Sequence, residues 1–448
     1  MKYVIVIPDG GADLPVPDLD DRTPFQAARM PVLDSLARAG RVGVAGTTPP
    51  GFEAGSDVCS MSLLGYDPAR FHTGRAPIEA AALGMSFKPS DWIFRLNLVT
   101  VGEPGTPDAG LMLDHSAGAI TDAEARTLIA DLFAHWQRVA PLDAEGFSLT
   151  PGVSYRNILV DHAARDYRAL VTTPPHEIPR QPWGKSMPRG AGASSEQAAR
   201  LSRLMQASGD FLAGHTVNRA RRDRGLRPAN MAWIWGQGTA PSLPSFQSRF
   251  GLRGAMITSV DLLAGIAALM GWERLPVAGL TSYHDTDYAA QGRATCEALE
   301  RFDIVCCHVE SPDELSHQGD WNTKVEALEA IDRHIMAPLV EKLATFGDPA
   351  VDPSAPGWRL LYMPDHYTLT STRKHDATPV PFLIAGAFVR SAVERPFTEA
   401  AALSSDLVID RGHDLMEYFL RGGLAHVRPV APGSRTGAPS EPRHTPRG

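Results

Sequence analysis

The feature that most constrains this chain is a series of short apolar runs that break off abruptly into Asp, His, Pro or Gly. Residues 3–7 read Tyr-Val-Ile-Val-Ile with no polar alternation, the pattern of a parallel strand buried on both faces. Residues 42–45, 254–258, 302–309, 359–363 and 379–384 are further strand-like runs. Helical patterns at 23–39, 260–270 and 325–343 lie among them, the first with Pro24 near its start and Gly40 after its end. Strands alternating with helices predict an α/β fold built on a doubly wound, mostly parallel sheet.

At 448 residues the chain exceeds one ordinary core. From 92 to 233 its character changes. Strand-like pieces at 92–101, 155–160 and 167–172 alternate with loops and a helix at 123–136, and arginines accumulate. These observations predict an inserted α+β domain over 91–234, set into a core formed by 1–90 and 235–430. Residues 431–448, rich in Pro, Gly, Ser and Arg, read as a disordered tail.

A formal net charge of −8 argues against a general nucleic-acid binder, so an anionic substrate would need a local cluster of Arg and Lys. No apolar run approaches the roughly 18 to 20 residues that cross a bilayer. The N-terminal run passes straight into Asp and Gly, as a first strand would and a signal peptide would not. Cys59, Cys296, Cys306 and Cys307 show no framework spacing and suit reduced thiols in the cytoplasm. Gly184-Lys185-Ser186 is not a phosphate loop, because Pro179 stands where the first glycine is needed.

The chemistry-bearing residues gather at strand ends. Asp9 follows the first strand; Asp313 and His317 sit four apart on one helical face after the run at 302–309; Asp365 and His366 follow the run at 359–363; His375 lies in a loop leading into the next. Carboxylates and imidazoles together suit Mn, Zn or Fe better than an all-oxygen calcium site. Gly55-Ser56-Asp57-Val58 places Ser56 at or near a helix N-cap, where it serves either as a cap or as a nucleophile facing free N–H groups. Two adjacent divalent ions beside one hydroxyl would activate it, and Ser56 is the best candidate for that hydroxyl.

Taken in order, Asp9-Gly10-Gly11, Gly55-Ser56-Asp57-Val58, Leu63-Leu64-Gly65-Tyr66-Asp67, Thr73-Gly74-Arg75, Pro312-Asp313-Glu314-Leu315-Ser316-His317, Pro364-Asp365-His366 and Pro379-Val380-Pro381-Phe382 resemble the archaeal-type cofactor-independent phosphoglycerate mutases of the alkaline phosphatase superfamily. The resemblance implies an alkaline-phosphatase-like core and a two-metal phosphoryl transferase acting on a small phosphorylated metabolite. It implies one metal on Asp313, His317 and His375 and another on Asp9, Ser56, Asp365 and His366, with Mn favoured and Zn or Mg as alternatives. Ser56 would carry a phosphoserine between 3-phosphoglycerate and 2-phosphoglycerate. Arg75, Arg95 and Arg156 are the candidates for clamping carboxylate and phosphate, each with a plain salt bridge as its alternative.

Ala76, where the family often has glycine, Cys59-Ser60, and Trp233-Ile234-Trp235-Gly236-Gln237-Gly238 depart from the mutase pattern. The last looks more like a branch proposed to be homoserine kinases, which would use Ser56 and the same metals but draw on ATP. Phosphomonoester hydrolysis and a metal-stabilised interaction protein are the remaining alternatives.

Overall fold

The computed structural model describes residues 1–391 and 393–421, so the tail expected at 431–448 lies outside the described residues. Its larger sheet has eight strands in the order Glu273–Arg274, Gly254–Ile257, Ile304–Val309, Lys2–Pro8, Trp358–Tyr362, Val380–Gly386, Arg41–Ala45 and Val408–Ile409. All neighbours pair parallel except at Val380–Gly386, which runs antiparallel to both of its partners. The sheet is therefore mostly parallel, as expected. Lys2–Pro8 is buried along nearly its whole length, so both of its faces are covered.

Two consequences position the site. Lys2–Pro8 lies between Ile304–Val309 and Trp358–Tyr362, with Pro8 in register with Val309. The residues just past these three strands therefore share one edge, where ligands of such sheets bind. Because Val380–Gly386 is reversed, its starting end lies at that same edge, and the segment before it, including His375, is delivered there too.

A second sheet is formed by Trp92–Val101, Met112–Asp114, Phe147–Pro151, Arg156–Asp161 and Met231–Thr239, and it has its own apolar core around Phe94, Trp136, Leu201 and Trp233. Met231–Thr239 pairs with Trp92–Val101 and so crosses the border expected at 234. No described helix is long and apolar enough to cross a membrane.

The helical pattern at 23–39 is two helices, Pro24–Ala27 and Pro31–Ala39. Pro31 disfavours helical backbone at Met30, and the N–H groups of Val32 and Leu33 are taken by the Asp332 carboxylate at 3.2 and 2.8 Å. The strand expected at 167–172 is only Leu170–Val171, and the helix Ser194–Gly214 was not anticipated.

Candidate active site

Ser56 is the first residue of the helix Ser56–Leu63, one position inside the expected cap; Gly55 is the N-cap and makes no side-chain capping bond. The Ser56 hydroxyl is thus free of capping duty, and its Oγ lies 3.3 Å from His366 Nε2. The helix N-terminus beside it supplies unpaired N–H groups and a positive dipole end.

Asp313 and His317 lie on the helix Ser311–Gln318, which Pro312 opens in its first turn. His317 Nε2 is 3.2 Å from Asp313 Oδ2, and His375 Nε2 is 3.5 Å from Asp313 Oδ1. The other ring nitrogens face backbone carbonyls: His317 Nδ1 is 3.0 Å from Arg373 O and His375 Nδ1 is 3.1 Å from Ala54 O. A carbonyl only accepts, so each Nδ1 carries a proton; in the metal-free chain each Nε2 faces the Asp313 carboxylate and donates to it, and with an ion bound each Nε2 would turn a lone pair to that ion. Those two Nε2 atoms are 3.0 Å apart. Two ring nitrogens so close repel, and a shared cation would relieve them; tetrahedral ligands at about 2.0–2.1 Å from an ion stand about 3.3 Å from each other.

The second group surrounds Asp9, which is fully buried. His366 Nε2 lies 3.5 Å from Asp9 Oδ1 and 3.4 Å from Asp365 Oδ2. Asp365 is oriented by the Gly10 N–H at 3.2 Å and the Ser60 hydroxyl at 3.2 Å. Ser60, one of the departures from the family pattern, therefore takes a direct part in holding a site carboxylate. The His366 and His375 rings are 4.1 Å apart at their centroids, so the two groups are contiguous.

Two residues escaped the sequence reading. His308 Nε2 is 2.7 Å from Asp9 Oδ2, and Glu310 Oε2 is 3.6 Å from His308 Nε2. The available signal was His308 as the one strongly polar residue of the otherwise apolar, fully buried strand Ile304–Val309. Asp57, beside Ser56, was likewise unassigned; its Oδ2 is 2.8 Å from His72 Nε2.

Electrostatics show what this arrangement would accept. Burial, then the charges of Asp365 and Asp313, pushes the Asp9 carboxyl well above its usual range, and burial, then Asp9, does the same to Glu310. Burial acts to raise Asp313 as well, but hydrogen bonds from His317 and His375 hold it well below. Asp9 Oδ1 and Glu310 Oε2 are buried without a hydrogen-bond partner. Converging buried carboxylates with orphaned oxygens are costly unless cations answer them. Asp313, His366 and His375 form one set of ligand atoms near enough together to hold an ion, Asp9, Asp365 and His366 another, and Asp9, His308 and Glu310 a third. The mixed oxygen and nitrogen donors fit divalent cations.

Gly10 is required where it stands. Its φ is +57°, and a Cβ there would lie 2.5 Å from both Asp313 Oδ1 and Thr368 Oγ1. Gly74, at φ +135°, is another such position, since a Cβ would meet Gln237 O at 2.5 Å. It starts the helix Arg75–Ala82 hard against the strand Met231–Thr239 and so fixes Arg75 between the two sheets.

The three arginines divide. Arg75 and Arg156 line one cleft with Glu79, Val153 and Asp261. Arg95 is buried, pairs through Nε with Glu79 Oε2 at 2.9 Å, and stacks 4.0 Å over the Trp235 ring. Burial is the main cause that brings it down to about 10. It underlies the cleft wall, and the departing Trp235 is the aromatic surface that covers it. The Arg75 charge helps to lower the carboxyl of Asp57, the residue after Ser56, and also acts on Arg95.

The family model described as 2,3-bisphosphoglycerate-independent phosphoglycerate mutase matches residues 37–218. A Methanothrix thermoacetophila protein named 2,3-bisphosphoglycerate-independent phosphoglycerate mutase is 42% identical over 422 residues, covering 94% of this chain and all of its own length. A Methanothermobacter thermautotrophicus relative with the same activity in its name is 40% identical and covers 94% of this chain and 97% of itself. Among solved structures, a cofactor-independent phosphoglycerate mutase from Thermoplasma acidophilum superposes with a TM-score of 0.62 at 25% identity, covering 94% of this chain and 99% of that one.

Proposed function

The chain belongs to the 2,3-bisphosphoglycerate-independent phosphoglycerate mutase family, and on that premise we propose that it interconverts 3-phosphoglycerate and 2-phosphoglycerate through a phosphoserine on Ser56. The observation that carries the reading is the Ser56 Oγ, uncapped, 3.3 Å from His366 Nε2 and at a helix N-terminus. Ser56 takes the phosphoryl group from the 3-oxygen, leaving glycerate with a free 3-hydroxyl. Glycerate turns over in the cleft, and its 2-hydroxyl takes the group back. Each half-reaction breaks one phosphorus–oxygen bond and forms another while a proton passes between hydroxyls, so neither nucleotide nor water is consumed.

Two divalent cations, Mn in our reading with Zn or Mg as alternatives, would be held by Asp313, His317 and His375 and by Asp9, Ser56, Asp365 and His366; when bound they supply charge neutralisation on phosphoryl oxygens and acidify the serine. Arg75 and Arg156 supply guanidinium forks for the carboxylate and phosphate, with Arg95 holding the wall beneath. The second sheet and its helices, the expected insert, act as the substrate-holding part and keep water from the phosphoserine. A cytoplasmic location accords with the free thiols of Cys59, Cys296, Cys306 and Cys307.

The test supplies Mn-loaded protein with 3-phosphoglycerate and follows 2-phosphoglycerate and free phosphate by phosphorus NMR, then repeats with ATP and homoserine. Formation of 2-phosphoglycerate is expected. Turnover only with ATP and homoserine would replace the mutase reading with the kinase one, and release of phosphate alone would make the protein a phosphatase.

A further inference from the structure

A fully buried hydroxyl lies between the two donor groups. Thr368 Oγ1, in the short strand Tyr367–Leu369, is 2.6 Å from Asp313 Oδ1 and 3.1 Å from His366 Nδ1. A threonine hydroxyl has one proton to give and can accept others. A metal-ligating carboxylate only accepts, so that proton goes to Asp313, and His366 Nδ1 must donate to Thr368. His366 Nε2 is thereby left as a lone pair, directed at Ser56, Asp9 and Asp365. The result is a directional chain from His366 through Thr368 to Asp313.

The hydroxyl is held in place from outside the site. Lys324 Nζ donates to Thr368 O at 3.0 Å, and the Thr368 N–H donates to Ala12 O at 3.2 Å. Gly10 leaves the space through which the Thr368–Asp313 contact passes, since a Cβ there would lie 2.5 Å from both oxygens. Nothing in the reaction chemistry needs Thr368, which touches neither Ser56 nor the cleft arginines in any contact described above.

We propose that Thr368 is a positioning residue that couples the two cation groups, so that an ion on the Asp313 group sets the His366 tautomer which the Ser56 group requires. The inference rests on the two-cation reading above. An ion on the Asp313 group fixes the carboxylate that receives the Thr368 proton, which fixes Thr368 as acceptor and His366 Nδ1 as donor. By linkage the effect runs equally in reverse. Without the hydroxyl, His366 loses the partner that selects its tautomer, and a ring protonated on Nε2 cannot bind an ion there.

The test titrates metal-stripped wild type, Thr368→Val, Thr368→Ala and Thr368→Ser with Mn(II), counting ions by calorimetry and reading Mn–Mn coupling by electron paramagnetic resonance. Wild type is expected to fill two sites in one cooperative transition. Valine keeps the shape and removes the hydroxyl, so Thr368→Val should bind the ions independently, one of them about 10- to 100-fold more weakly. Thr368→Ser should restore cooperativity, and Thr368→Ala serves if valine fails to fold. An unchanged isotherm in the variant overturns the proposal, as does equal weakening of both ions with cooperativity kept, which would mark a general loosening. Nitrogen-15 shifts of wild type carrying one equivalent of diamagnetic Zn(II) give an independent reading: His366 still protonated on Nε2 also overturns it. Wild type that binds fewer than two ions would sink the two-cation reading itself.

Discussion

Replacing Lys324 by Met should destabilise the metal-free protein by about 3 kcal/mol. Lys324 is fully buried, and its Nζ reaches Asp13 Oδ2 at 3.1 Å, Thr368 O at 3.0 Å and Ala12 O at 3.5 Å. It therefore joins the segment after the first strand to the one carrying His366 and Thr368. Methionine keeps the apolar stem but removes the charge and all three donors. Breaking a buried ion pair from one side costs about 3–5 kcal/mol, because the remaining charge is left uncompensated. Asp13 keeps two N–H donors, Leu14 at 2.8 Å and Thr370 at 3.2 Å, which puts the expectation at the low end of that range. Guanidinium denaturation of chelator-stripped protein measures it without a contribution from metal binding. Adding Asp13→Asn to Lys324→Met removes the stranded charge and should recover at least about 1 kcal/mol, a coupling that additive sites would not show. A single-variant loss under about 1 kcal/mol, or a double variant as unstable as the sum, would refute the reasoning.

Ser56→Ala should abolish phosphoryl transfer with an unchanged circular dichroism spectrum; retained turnover would mean another nucleophile. Asp313→Ala should lower the bound metal measured by elemental analysis, and an unchanged count would remove Asp313 from the site. Gly10→Ala sets a side chain at φ +57° and 2.5 Å from Asp313 Oδ1, so metal affinity should fall at least about tenfold in a calorimetric titration. In metal-free protein the Asp313 hydrogen bond raises His317 to about 9. A group raised in the folded state contributes stability that is whole below its unfolded value of about 6.5 and is lost as pH rises through the folded one. The melting temperature of stripped protein should accordingly decline from pH 6.5 to 9.5, and His317→Gln should flatten that slope.

Much of the fold could be read from local pattern. Residues 3–7, 302–309 and 359–363 are mostly apolar without regular alternation and became the three adjacent central strands, because a segment hydrophobic on both faces is stable only between two covering layers. The 23–39 pattern is not one helix, because Pro31 disfavours helical backbone at Met30 even though the apolar spacing runs on across it. Ser194–Gly214 was missed because its apolar residues are diluted by Ser, Gln and Arg, so its stripe is legible only once Leu201, Leu204 and Leu212 are seen packed. At the site, Ser56 and the acids and imidazoles named from sequence lie together, and His308, Glu310 and Thr368 join them unannounced.

What the sequence by itself determined is the inventory and its order along the chain: apolar runs that must be buried strands, and Asp or His residues shortly after three of them. Hydrophobic period, Pro and Gly act over a few residues, and so they settle such things locally. Only the tertiary structure decided which atom faces which. The reversal of Val380–Gly386 brings His375 to the ligand edge, strand register sets His308 against Asp9, and Trp235 covers Arg95 while Arg75 and Arg156 stay in the cleft. Contacts of about 3 Å between residues hundreds of positions apart follow from register and packing, and a slip of one residue in a strand would turn every such side chain to the opposite face.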